Sequence, residues 1–205
     1  MDKYGTDQDP YCYEGTRILI NKFHIMDEEV LEQAEAEFSL LGINNIDFNN
    51  PPYDFEYLSN IHTLIFGEIY PWAGSVRTID ISKGSSRFCN TVRIIPEVNK
   101  FFKKLDSEGC LGNLAHNVFV SKIAEYYADL NAIHPFREGN GRAQRVLFEH
   151  IALCNGYFIR WDLVTKQEWV LANIYGMYCD FTHLEVIFSK CLKIGRASCR
   201  ERVLR

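Results

Sequence analysis

The residues best suited to chemistry fall in one stretch, Ala132-Ile133-His134-Pro135-Phe136-Arg137-Glu138-Gly139-Asn140-Gly141-Arg142-Ala143-Gln144-Arg145. His134 carries the side chain most easily poised as a base near neutral pH. Pro135 fixes its own φ and biases His134 toward an extended backbone, so a preceding helix is expected to stop there. Gly139 and Gly141 permit positive φ and close backbone approach. N–H groups in such a turn, just ahead of a helix N-terminus, form a nest for an anion. Glu138 is a hard oxygen donor of the kind that holds Mg²⁺ together with phosphate oxygens. Arg142 and Arg145 share a helix face at this spacing, and arginine suits bidentate phosphate recognition. A base, a metal ligand, an anion nest and two phosphate clamps in one loop describe a phosphotransfer site. The plainer alternative is a loop that only caps and connects two helices.

Two helices must position this loop. One is expected over residues 114–129, burying Val118, Phe119, Ile123, Tyr126, Tyr127 and Leu130. The second is expected from 142 to 154, burying Val146, Leu147, Ile151 and Leu153 or Cys154, as the most enclosed helix, ended by Asn155-Gly156.

His134 to Arg145 resembles the full signature of the Fic family, H-P-F-x-(D/E)-G-N-G-R-x-x-R, at every position. Tyr13-Glu14-Gly15-Thr16 through Asn21-Lys22 also resembles the opening of many Fic proteins. The resemblance implies a protein adenylyltransferase that moves AMP from ATP, with Mg²⁺, onto a Ser, Thr or Tyr hydroxyl of a target protein. It implies His134 as the base and Glu138 as the Mg²⁺ ligand. Gly139, Asn140, Gly141, Arg142 and Arg145 would handle the phosphates, with the Asn140 side chain orienting the α-phosphate and Phe136 anchoring the loop. Relatives that phosphorylate carry Lys in place of Gly141, so the glycine favours adenylyl transfer. Phosphorylation, phosphocholine transfer, AMP removal and nucleotide binding without turnover are the other readings.

Many Fic proteins are restrained by (S/T)-x-x-x-E-(G/N), whose Glu pairs with the second motif arginine. Ser121-Lys122-Ile123-Ala124-Glu125 is followed by Tyr126, and Glu108-Gly109 has Lys104 at the required upstream position. Neither fits. Restraint is therefore absent from this chain or supplied by a separate small antitoxin, as the resemblance to the toxin-like branch implies.

Earlier in the chain, Asp27 can cap a helix with Val30, Leu31, Ala34, Phe38 and Leu41 inward, ended by Gly42. A second helix is expected over 54–69, and His62 on it reads as a packed histidine. Residues 76–81 and 87–94 read as the strands of a β-hairpin joined by Ser82-Lys83-Gly84-Ser85-Ser86. Fic proteins carry a flap at this point, so the resemblance implies that Ile81, Ser82, Lys83, Gly84, Ser85, Ser86, Arg87 and Phe88 hold a target segment by strand addition. Pro96 suits the first turn of a helix reaching about residue 105. Helices are expected over 166–178 and 182–191. Asp162, Glu168, Asn173 and Tyr178 lie close enough in sequence to a nucleotide pocket to be of interest.

The 205 residues, 47% hydrophobic and 14% aromatic, suit one globular domain. Net charge is −5 and the basic residues form no stripe, which argues against direct nucleic-acid binding. No apolar run reaches membrane-span length, and the opening residues lack a signal core, so a cytoplasmic protein is expected. The seven cysteines show no C-x-x-C spacing and read as reduced thiols. Residues 195–205, with Arg196, Arg200, Arg202 and Arg205 against Glu201, read as a non-native tail. The expectation is a mostly α, single Fic-type helical domain over residues 1–194. It has an N-terminal arm at 1–25, a hairpin flap at about 76–94 and an active loop at 134–142.

Overall fold

The computed structural model describes residues 9–84 and 86–195. Ser85, residues 1–8 of the arm and residues 196–205 of the tail lie outside the described residues. The architecture is mostly helical: α1 (Glu28–Asn44), α2 (Phe55–Phe66), α3 (Thr91–Ser107), α4 (His116–Ile133), α5 (Asn140–Cys154), α6 (Lys166–Gly176) and α7 (Thr182–Cys191). Two antiparallel strand pairs complete it: β1 (Ser82–Lys83) with β2 (Ser86–Arg87), and β3 (Tyr157–Ile159) with β4 (Leu192–Ile194).

α5 is the axis of the domain. Ala143, Leu147, Phe148, Ile151 and Ala152 are fully buried, and the helix packs on α2, α4 and β3. Its buried Gln144 donates from Nε2 to the Tyr127 carbonyl at 2.6 Å, which ties α5 to α4. α4 contributes Phe119, Ile123, Tyr126 and Tyr127 to the same core, while Val118, expected inward, is exposed. α7 adds Leu184, Phe188 and Cys191, so that burial, and not local propensity, holds these short helices.

The helix starts follow local chemistry. Asp27 and Asp54 accept from the N–H groups of Val30 (3.0 Å) and Tyr57 (2.8 Å), satisfying donors that a first turn leaves over. Thr165 and Glu168 form a capping box at the start of α6.

Several boundaries differ from expectation, each for a visible reason. α4 continues a turn beyond residue 129 and stops at His134, whose φ of 49° caps the helix ahead of Pro135. α5 starts at Asn140, two residues early, because Gly139 at φ 78° turns the chain directly into it. The hairpin is much shorter than its alternating sequence suggests. Residues 91–94 are helical, since Asn90 accepts from the Val92 N–H at 3.2 Å and Asp80 Oδ1 accepts from the Thr91 N–H at 2.8 Å. α3 therefore begins ahead of Pro96, which it carries inside. The β3–β4 pair was not expected, because three-residue strands leave no readable periodicity.

α1 holds the most informative difference. Val30 and Leu41 are exposed, and the helix runs through Gly42 to Asn44. Leu31, Ala34 and Phe38 turn inward as expected, and beside them Glu35, Ser39 and Gly42 form a stripe at helical spacing that is polar in the middle. At Gly42 the backbone of α2 comes so close that a Cβ would lie 2.3 Å from the Leu64 carbonyl oxygen. Alanine normally stabilises a helix interior relative to glycine. Gly42→Ala is instead expected to destabilise by about 2 kcal/mol through overpacking, measured by urea unfolding.

Candidate active site

His134 leaves α4 in the left-handed region and lies almost wholly buried. Its Nδ1 is 3.1 Å from the Asn131 carbonyl oxygen, which can only accept. Nδ1 therefore carries the hydrogen and the lone pair sits on Nε2. Burial pushes the imidazole pKa down to about 3, so the ring is neutral throughout the working range. Phe88, at the foot of the hairpin, stacks on it with centroids 3.8 Å apart and planes 16° from parallel.

The loop is held from inside. Asn140 accepts at Oδ1 from the Phe136 N–H (2.8 Å) and donates from Nδ2 to the Phe136 carbonyl (2.7 Å). Its amide thus closes the loop on itself, with both polar atoms taken up by Phe136 and not left over for the α-phosphate that the resemblance gave them. Phe136 is buried between Phe55 (6.1 Å) and His62 (4.0 Å). Arg137 forms a buried ion pair with Asp9, tying the N-terminal arm to the loop.

His62 is a packed residue, and its hydrogen bonds set its tautomer. Nδ1 accepts from the Gly74 N–H at 2.9 Å, so Nε2 must carry the hydrogen it donates to the Glu138 carbonyl at 2.8 Å. The loop therefore rests on a neutral imidazole.

Below the loop lies Phe66. A Cβ on Gly139 would sit 2.2 Å from its ring, and the Arg142 guanidinium lies 4.4 Å above the same ring. The N–H groups of Asn140 and Gly141 open α5 and have no partner further back in the helix, the geometry of an anion nest. Glu138 Oε1 accepts from the Gly139 N–H at 3.1 Å.

These groups border one cavity of about 420 Å³. His134, Glu138, Gly139, Asn140, Gly141, Arg142 and Arg145 all line it, together with Lys83, Gly84, Ser86 and Phe88 from the hairpin. The opposite wall comes from Tyr127 and Asn131 of α4 and from Trp169, Val170, Asn173, Ile174 and Met177. Asn173 is thus at the cavity. Asp162 pairs with Arg160, Glu168 is taken up in the capping box, and Tyr178 is exposed. Ile81 and Phe88 turn inward with Ile79 and Met177, so they anchor the hairpin by their side chains.

Arg77 carries no catalytic pattern in the sequence and is central in the structure. Its fully buried guanidinium donates to the carbonyls of His134 (2.8 Å), Ile79 (2.6 Å), Ile133 (3.4 Å) and Cys89. Its own N–H donates to the Pro135 carbonyl at 2.9 Å. Hairpin and loop are thereby one unit. Only its place just after Trp72-Ala73-Gly74 could have drawn notice.

Among the described residues no group of three potential metal ligands is found. Glu138 is a single carboxylate beside an anion nest. That donor set fits a hard cation held mainly by phosphate oxygens and water, which is the habit of Mg²⁺.

A model of the Fic/DOC family matches residues 52–152. Over 189 residues the chain is 38% identical to "Probable protein adenylyltransferase Fic" of Escherichia coli (strain K12), covering 92% of this chain and 94% of that one. It is 36% identical over 183 residues to "Protein adenylyltransferase VbhT" of Bartonella schoenbuchensis, covering 87% of this chain and 38% of the longer protein. A crystal structure of the BepC protein of Bartonella tribocorum with bound AMPPNP superposes with a TM-score of 0.83 at 26% identity, covering 91% of this chain and 97% of that one. The chain belongs to the Fic/DOC family. No described helix is long and apolar enough to cross a membrane.

The neutral His62 makes a pH prediction. Burial lowers its pKa to about 4. As pH falls, the unfolded chain binds this proton first, near pH 6.5, and the folded chain only near 4. The stability is therefore whole above the unfolded pKa and is lost as pH falls toward the folded one. Between pH 7 and 4.5, His62 is expected to account for a loss of about 2 kcal/mol. Urea unfolding of wild type and His62→Gln should show the shallower pH dependence in the variant.

Proposed function

We propose that this chain is a protein adenylyltransferase that transfers AMP from ATP to a hydroxyl side chain of a target protein. The observation that carries the reading is the single cavity in which a neutral imidazole faces an anion nest and two arginines. The relatives' names and the AMPPNP bound in a structural neighbour support it.

In this reading the nest of Asn140 and Gly141 receives the α-phosphate. His134 Nε2 takes the proton of the incoming Ser, Thr or Tyr hydroxyl. The hydroxyl oxygen bonds to the α-phosphorus while the bond from that phosphorus to the β-bridging oxygen breaks, and pyrophosphate leaves. Backbone N–H groups and Arg142 offset the charge that develops, which is the larger part of such catalysis. Glu138 would hold Mg²⁺, which supplies further neutralisation of the phosphates when bound. Arg142 neutralises the leaving pyrophosphate, and Arg145 binds its outer phosphate or braces the loop, where its Nε donates to the Gly141 carbonyl at 3.3 Å. The apolar wall of Trp169, Val170, Ile174 and Met177, with Asn173 for a polar contact, takes the base. A Cβ on Gly141 would meet nothing within 4 Å, so the space beside the phosphates stays open where phosphorylating relatives carry a lysine.

The hairpin would bind the target by strand addition along β1 or β2, next to His134. Restraint would come from a separate antitoxin. Glu125 is engaged with Lys104 at 2.8 Å and Glu108 with Lys122 at 3.5 Å, and among the described residues no carboxylate forms an ion pair with Arg145. The reading places the enzyme in the cytoplasm.

The test is incubation of the purified protein with Mg²⁺ in a bacterial lysate, using ATP labelled at the α- or the γ-phosphate in parallel. Label on protein from the α position alone is expected. Label from γ alone would mean a kinase. His134→Ala should lower transfer by at least ~10²-fold while leaving ATP affinity unchanged and the protein folded.

A further inference from the structure

Arg142 is gripped by a residue outside the signature. From α1, Glu35 Oε1 accepts from Arg142 Nη2 at 2.5 Å. Ser39 Oγ, one turn further along, accepts from Nη1 at 3.2 Å and itself donates to the Ala36 carbonyl at 3.1 Å. The guanidinium face rests 4.4 Å above Phe66. Two edge contacts and one face contact fix the orientation of a planar group. The other carboxylate oxygen of Glu35 accepts from the Tyr70 hydroxyl, and Tyr70 is buried and stacked on Trp72 at 4.6 Å. The carboxylate is therefore itself held, and the close approach at Gly42 fixes α1 against α2. The ion pair is mostly shielded, with side-chain exposures of 23% for Arg142 and 16% for Glu35. An arginine has five N–H donors, and two contacts to α1 do not consume them.

We infer that Glu35 is a positioning residue for phosphate transfer: it pre-orients Arg142 for the outer phosphates of the nucleotide. This rests on the reading of the cavity as a nucleotide site. A surface ion pair this far from the signature would ordinarily contribute little. Here the pair sits at the cavity wall, and the residue it orders is one of the two arginines there. The polar interruption in the inward stripe of α1 has the same explanation.

The inference predicts selectivity by phosphate number. Glu35→Gln keeps the size and an acceptor but removes the charge that holds the guanidinium. Calorimetric titration with ATP, ADP and AMP should show weaker ATP and ADP binding, on the order of tenfold, as for one misplaced charge-assisted contact. AMP, which lacks the outer phosphates, should bind as in wild type. In an Arg142→Ala background, Glu35→Gln should have no further effect. Melting curves of each variant accompany the titrations, and Tyr70→Phe, which leaves the Arg142 contact in place, serves as a milder probe with an effect in the same direction. Equal losses for AMP and ATP would overturn the inference in favour of a merely structural α1 contact. Tighter ATP binding would overturn it in favour of a carboxylate that competes with phosphate. A wild-type protein that bound none of the three nucleotides would overturn both this inference and the reading beneath it.

Discussion

A guanidinium with no exposure to water is costly unless every direction it points in offers an acceptor. Arg77 meets that demand with carbonyl oxygens drawn from two places: the stem of the hairpin at Ile79 and Cys89, and the end of α4 at Ile133 and His134. Charge solvation thereby becomes a ruler. The carbonyls cannot separate without stranding a buried charge, so hairpin and catalytic loop are fixed at one distance. The Phe88–His134 stack is a consequence, because Phe88 is delivered by the strand whose foot Arg77 holds. The foot of the hairpin and the imidazole of His134 are held in one place by the same buried charge.

A second set of constraints acts from below. His62 donates to one loop carbonyl and accepts from the Gly74 N–H, while Phe136 and Phe66 pack on its faces. Such a ring works only when neutral, and burial keeps it so. The Asn140 amide completes the loop by joining both polar groups of Phe136. The loop is thus preorganised by neutral hydrogen bonds, and its cavity face keeps donors for an anion.

How much of this was legible depended on how local the causes were. That the residues between His134 and Arg145 form one cluster could be read directly, because they are contiguous, and they border one cavity. Helix starts at Asp27 and Asp54 and the whole of α7 could be read too, since caps and short periodicities are local facts. The hairpin misled. Residues 76–81 alternate like a strand, yet the Arg77 N–H goes to the Pro135 carbonyl, the Thr78 N–H to the Tyr11 hydroxyl and the Ile79 carbonyl to the Arg77 guanidinium instead of to a partner strand. α1 misled in another way. Its inward stripe contains Glu35 and Ser39, because what it faces is an arginine, and hydrophobic pattern cannot register a polar contact more than a hundred positions away. The β3–β4 pairing joins the end of α5 to the end of α7 and has the same long-range character.

Phe66 closes the picture from an unexpected side. One ring underlies Gly139, packs against His62 and Tyr70, and carries Arg142. It touches three of the groups that shape the cavity without lining the cavity itself. In genetic terms, its loss would be indistinguishable by phenotype from loss of a ligand contact. A screen for inactive variants would return it beside the residues of the loop, and a map drawn from such a screen would extend the active site one layer deeper than the chemistry reaches.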